Sequence, residues 1–227
     1  MDDANPATGE AKGEATGSEA GFQDPTALAK WTRIFLYAGV VVAIVSAWEM
    51  AGELGLYGGA GSLEGWTPFG IIWILAQVTI ALGTVILVLS WIYRANHNAR
   101  QLGAADMRFT PGWAVGWYFI PIAWFWKPYQ AMTEIWRASV SPSDWGATPV
   151  SPLLRWWWGL WIVPFWGLGV VDAVAFEVLD EAGTETVEMA TALVANLLDI
   201  PLAFVLVAII TAVTQLQTAH HRRQTGP

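Results

Sequence analysis

The sequence predicts an all-α integral membrane protein with four transmembrane helices, one re-entrant or interfacial Trp/Pro-rich segment and a cytoplasmic amphipathic helix. Three observations predict it. Hydrophobic residues make up 55% of the 227 and charged residues only 13%, where soluble domains average about 25% charged. Four apolar stretches are long enough to cross a hydrocarbon core of about 30 Å. Three of them open on a capping residue followed by proline, Asp24-Pro25, Thr67-Pro68 and Ser151-Pro152, the pairing that favours a helix start.

Residues 1–24 are rich in Ala, Gly, Glu and Asp and hold no apolar run, the composition of a disordered acidic tail. The acidic start Met1-Asp2-Asp3 lacks the basic region that begins a signal peptide. A single membrane domain is expected over 25–218. Its first crossing falls at about 31–52, with Phe22 placed to staple the first turn. The loop Glu49–Gly65 is Gly-rich and carries no Lys or Arg. The second crossing, about 68–93, continues as a polar extension in which Arg94 and Asn98 share a face and Gly103 is the expected stop.

Residues 112–126 are apolar but short for a crossing, and Pro121 interrupts them, which favours a re-entrant or interfacial element. After Lys127-Pro128, residues 128–139 place Tyr129, Met132, Ile135 and Trp136 at helical spacing with Gln130, Glu134 and Arg137 facing away, an amphipathic helix. The third crossing, about 153–176, begins near Trp156-Trp157-Trp158 at the interface and is kinked at Pro164, which frees the Leu160 carbonyl. An acidic loop, Glu177–Glu188, leads to the fourth crossing at about 189–215. Residues 219–227 form a polar cytoplasmic tail containing His220 and His221, which are expected to be solvated.

Charge counting selects the topology. If 112–126 enters and leaves on one side, all eleven Lys and Arg residues lie inside with both termini. If it crosses fully, Lys127, Arg137, Arg155, Arg222 and Arg223 move outside. The positive-inside bias favours the first arrangement.

Trp91, Arg94, Asn98 and Gly103, then Pro111-Gly-Trp-Ala-Val-Gly-Trp117, Phe119-Ile-Pro121, Trp126-Lys-Pro-Tyr-Gln-Ala-Met132 and Glu134-Ile-Trp-Arg-Ala-Ser139 resemble the signature of the bacterial membrane-protein family catalogued as domain of unknown function 4328. The resemblance is specific over about residues 90–140. It implies a multi-pass protein of the bacterial cytoplasmic membrane and carries no known activity.

Two groups of residues are candidates for function. Asp199 is an ionisable residue deep in the fourth crossing, where a carboxylate is costly unless it is neutral or hydrogen-bonded; Asn196, Gln77 and Thr79 are its candidate partners. Pro201 frees the Leu197 carbonyl nearby, so Asp199-Ile-Pro201 is a candidate break in the helix. Arg94, Asn98, Pro121, Glu134 and Arg137 form a candidate interfacial motif, with Arg94 expected to pair with Glu134 and, as the alternative, Arg94 and Asn98 holding anionic lipid.

Cysteine is absent, which excludes disulfides and thiol catalysis. No motif for nucleophilic catalysis, phosphate cradling or dinucleotide binding is present, the histidines lack a third ligand at metal spacing, and the dispersed basic residues do not form a nucleic-acid footprint. No cofactor is expected. The expected partners are the lipid bilayer and either another protein or a second copy of the chain. These features favour a non-enzymatic scaffold, accessory or sensor module; a small transporter or channel using Asp199 is the alternative, and a lipid-handling protein ranks below it.

Overall fold

A computed structural model of the chain describes residues 21–57 and 68–226. The predicted tail up to residue 20 and the loop residues 58–67, with the Thr67 cap, lie outside them. Among the described residues seven α-helices run in order: α1 (Thr26–Glu53), α2 (Pro68–Gln101), α3 (Pro111–Gly116), α4 (Lys127–Val140), α5 (Pro152–Val163), α6 (Gly169–Val178) and α7 (Glu181–Thr225). Four helices are long and apolar enough to cross a membrane: α1, α2, α5 with α6, and α7.

Local chemistry sets their ends. Asp24 Oδ1 accepts from the Thr26 amide at 2.9 Å, and Ser151 accepts from the Leu153 amide at 3.3 Å ahead of Pro152. At the end of α2, Gly103 adopts φ +105°. Its amide donates to Arg100 O, and the Ala104 amide to Ala99 O at 3.1 Å. This is the Schellman stop that a glycine at this position favours.

One expected irregularity takes a form of its own, and two expected breaks are absent. At Pro164, where a kink is expected, the third crossing continues through a π-helical turn over Pro164–Leu168, which accommodates the missing amide. The acidic stretch 177–188 is not a loop: α6 runs to Val178, and α7 starts at Glu181 with Asp180 accepting from the Gly183 amide at 2.9 Å. Glutamate is a good helix former, so Glu181, Glu185 and Glu188 lie on the opening turns of α7. Pro201 does not break α7, which is continuous from Glu181 to Thr225. The helix accepts one lost hydrogen bond there.

Phe22, near the start of the described residues, and His221, near their end, meet at one end of the bundle, here called the base. Phe22 does not staple its own helix; its ring stacks on His221 at 4.0 Å between centroids. His220 Nε2 lies 3.2 Å from Val140 O, so the two histidines sit on packed helix rather than in a free tail.

The core is concentrated at the base, where α4 is enclosed by α2, α3, α5 and α7. Trp91, Ile92, Met132, Ile135, Leu154, Ile209 and Ile210 are almost fully buried there, each contributing about 1.5–3 kcal/mol on removal from water. Away from the base, α2 and α5 with α6 leave most of their apolar surface open, as lipid-facing helices do. Contact in that region depends on small residues and polar links. Gly83 of α2 lies against the Phe35 ring of α1, and Ser46 Oγ reaches Gln77 Oε1 at 3.5 Å.

Residues 111–126 form α3 and two 3₁₀ turns, Trp117–Phe119 and Ala123–Phe125, which pack on each other. The reversal lies just after Pro121: Ile122 has φ +70° and ψ −52°, and the Ala123 amide donates to Pro121 O at 2.8 Å, a γ-turn. The two ends of the segment come together, with Lys127 Nζ 5.6 Å from the centre of the Phe109 ring.

Candidate functional site

Two clusters hold the sequence-predicted residues. The first lies within the apolar part of the bundle, around Asp199 on α7. None of the expected partners bonds to this carboxylate. Gln77 turns to Ser46, Asn196 Nδ2 donates back to Ala192 O at 2.9 Å, and Thr79 bonds Leu75 O on the exposed face of α2. Asp199 has no hydrogen-bond partner among the described residues, and it is accessible within the bundle.

Asp199 stands on the shared wall of two cavities, of about 440 and 450 Å³. One lies between α5, α6 and α7, and its lining includes Asp172, Glu188 and Thr191. The other lies between α1, α2, α5 and α7; Gln77 and Asn196 line it, together with Tyr118, Trp157 and Trp161. Asp199, Trp161 and Leu202 belong to both. Gln77 and Asn196 therefore share a cavity with Asp199 without bonding it, and Thr79 stands apart.

Two features of this site escaped sequence reasoning. Asp172 is a second carboxylate inside the third span and accepts from Thr191 Oγ1 at 2.7 Å; its signal was visible as a lone acid in the apolar run 153–176. The Tyr118 hydroxyl is buried with no hydrogen-bond partner among the described residues, which is costly for a polar group. Its position depends on how 111–126 folds back, which spacing does not disclose. Aromatic contacts tie that segment to the cavity wall: Trp161 lies 6.0 Å from Tyr118 and 5.5 Å from Trp124 between ring centres, and Phe125 stacks on Trp166 at 4.7 Å.

The second cluster is a polar clamp at the base, and here the expected pairing is corrected. Arg94 does not meet Glu134; its Nη1 donates to Asp24 O at 3.2 Å. Glu134 pairs with Arg108, 3.0 Å from Nε to Oε1, and its Oε2 accepts from the Phe109 amide at 3.2 Å. Glu134 does not face away either. It is 2% exposed, and the satisfied carboxylate allows that burial. The Phe109 carbonyl in turn accepts from Asn96 at 3.0 Å and Arg100 at 2.9 Å. The connection from α2 to α3 is thus held from both sides.

Asn98 is fully buried and grips the Gln23 peptide, donating to its carbonyl at 2.7 Å and accepting from its amide at 2.9 Å. Residues 21–24, expected to belong to the disordered tail, are docked by this contact. Arg137 is half-buried, and its Nε lacks a hydrogen-bond partner among the described residues. Pro121 is exposed at the tip of its segment. Gln217, fully buried on α7, links the Ala95 carbonyl at 2.8 Å to the Ser139 hydroxyl at 2.9 Å.

At the base, the fold perturbs the acidity of Asp24. Hydrogen bonds from the Thr26 hydroxyl, then from its amide, hold the carboxyl below the usual carboxylate range. Among the described residues no group of three His, Asp or Glu side chains is arranged to hold a metal ion.

Fold and site together define a helical protein with four helices long and apolar enough to cross a membrane, two cavities that share Asp199, and a clamped base. The family model described as Domain of unknown function (DUF4328) matches residues 62–215, well beyond the stretch 90–140 that carries the recognisable motifs. The chain belongs to that family. No curated protein and no solved structure matches it.

Proposed function

We propose that this chain is a non-enzymatic sensor or accessory module of the bacterial cytoplasmic membrane that holds a small amphiphilic molecule beside Asp199. The observation that carries this reading is the unpartnered carboxylate on the wall between two cavities. The mostly apolar lining of the larger one, with a few polar groups, has the composition of a small-molecule site. The orphaned Tyr118 hydroxyl offers a donor to the same ligand. Through Trp161, occupancy of the cavity would bear on residues 111–126, and these contact α4 at the clamped base. In this arrangement both termini and the base are cytoplasmic, 111–126 is a re-entrant segment, and α4 is the amphipathic layer available to a protein partner or a second copy.

The test is to purify the full chain in nanodiscs and identify retained amphiphiles by mass spectrometry. A defined species retained by the native chain and depleted by Asp199→Asn and by Tyr118→Phe supports the reading. An identical lipid complement in all three counts against it.

A transporter is the second reading, favoured by one observation: Asp172 and Glu188 line the cavity on one side of Asp199, giving three carboxylates along α6 and α7. It predicts pH-dependent flux in proteoliposomes that Asp199→Asn removes. Flux of equal size in the variant would exclude Asp199 from the path.

A further inference from the structure

Beside the clamp lies a smaller depression, of about 210 Å³, whose lining includes Arg108, Phe109, Trp113, Trp117, Lys127 and Gln130. We infer that it binds a phosphate group, carried on a membrane lipid or free in solution. The inference is independent of the Asp199 cavity.

The side chains are arranged as donors without an acceptor. Arg108 uses Nε to hold Glu134, which fixes the guanidinium plane and leaves its two terminal nitrogens without hydrogen-bond partners among the described residues. Its side chain remains 75% exposed. Lys127 Nζ stands 5.2 Å from the centre of the Trp117 ring and 5.6 Å from that of Phe109. The ammonium is positioned by cation–π contact and has no carboxylate partner among the described residues. The Gln130 side chain likewise makes no hydrogen bond among them. No acidic residue lines the depression, and the neighbouring Glu134 is already satisfied by Arg108 and the Phe109 amide.

The backbone adds to this charge. Lys127 and Gln130 lie on the first turn of α4, a 14-residue helix whose N-terminus has no side-chain cap. The helix dipole there favours an anion. A planar guanidinium, an ammonium and an amide around one small depression suit the oxygens of a tetrahedral phosphate.

Apolar surface adjoins the site on the same segment. Trp113, Phe119, Ile122 and Trp126 are exposed large apolar side chains, suited to acyl chains beside a bound headgroup.

The experiment compares full-length native chain with Lys127→Gln, Gln130→Leu and Lys30→Gln. Two probes are used: inorganic phosphate by titration calorimetry, and phosphatidic acid in phosphatidylcholine nanodiscs by native mass spectrometry. Lys127→Gln is expected to weaken phosphatidic acid binding about fivefold, with Gln130→Leu acting in the same direction. Lys30→Gln, away from the depression, should leave it unchanged. Loss confined to phosphatidic acid assigns a lipid headgroup; parallel loss of inorganic phosphate assigns a soluble phosphate ligand. If Lys127→Gln does not fold, Gln130→Leu decides the matter alone. Native-like binding in the folded variants, or an equal loss in Lys30→Gln, overturns the inference.

Discussion

At the residue scale, the clamp makes sharp predictions because the contacts of Glu134, Arg94 and Asn98 are each made to identifiable partners. Arg108→Ala and Glu134→Ala should be coupled by about 1 kcal/mol in a double-mutant cycle, a modest value because Arg108 is exposed. Arg94→Ala and Glu134→Ala should add within about 0.5 kcal/mol, since they share no contact. Thermal unfolding in detergent measures both; coupling in the second pair alone would restore the pairing expected from sequence. Asn98→Leu strands the amide and carbonyl of Gln23 and should cost about 1–3 kcal/mol. Hydrogen exchange should show residues 21–24 released. Asp24 adds a pH dependence. Its carboxyl is held below the usual 3.8 by Thr26, so its contribution is complete above that value and is lost as pH falls through the lowered one. Exchange at the first turn of α1 should therefore rise on acidification, and Asp24→Asn should remove that dependence.

At the element scale, α1 and α2 approach closely at one glycine. A side chain at Gly83 would overlap the Phe35 ring, so Gly83→Val should cost about 1–3 kcal/mol by overpacking. Gly159 on α5 faces open space, and Gly159→Ala should instead gain about 0.5–1 kcal/mol from helix propensity. Melting temperatures of the two variants should move in opposite directions. Elements were legible in the sequence where local chemistry decides them. Ser151-Pro152 and Gly103 mark ends that depend on neighbouring atoms alone, and four long apolar runs became the four spans. Elements were misread where hydropathy stood in for helix propensity: the polar turns opening α7 looked like loop because Glu181, Glu185 and Glu188 are charged. Pro201 looked like a break, yet packing around α7 tolerates one missing amide. The site was legible only in part. Asp199 stands out as an acid in an apolar run, but its cavities, the Tyr118 hydroxyl and the choice of Arg108 over Arg94 arise from the folding back of residues 104–126. That is a tertiary outcome, absent from residue spacing.

At the scale of the whole molecule, the chain divides its work between a water-stabilised base and a loosely packed apolar body. Hydrophobic burial and a polar clamp centred on Glu134 and Asn98 hold the base, while the body leaves space around the unpartnered Asp199. Because the chain has no cysteine, its proposed orientation can be checked with single labels. Ser143→Cys should react with an impermeant reagent only from the cytoplasmic face and Glu185→Cys only from the opposite face; the reverse pattern would invert the topology. Whether Asp199 heads a ligand site or braces the helices is decided most directly by replacing it with leucine in the full chain, then measuring thermal stability and amphiphile retention together. An unpartnered carboxylate contributes little to the fold, so Asp199→Leu should melt at or above the native temperature while losing the retained amphiphile. A fall of several degrees with retention unchanged would make Asp199 a structural brace and contradict the proposed site.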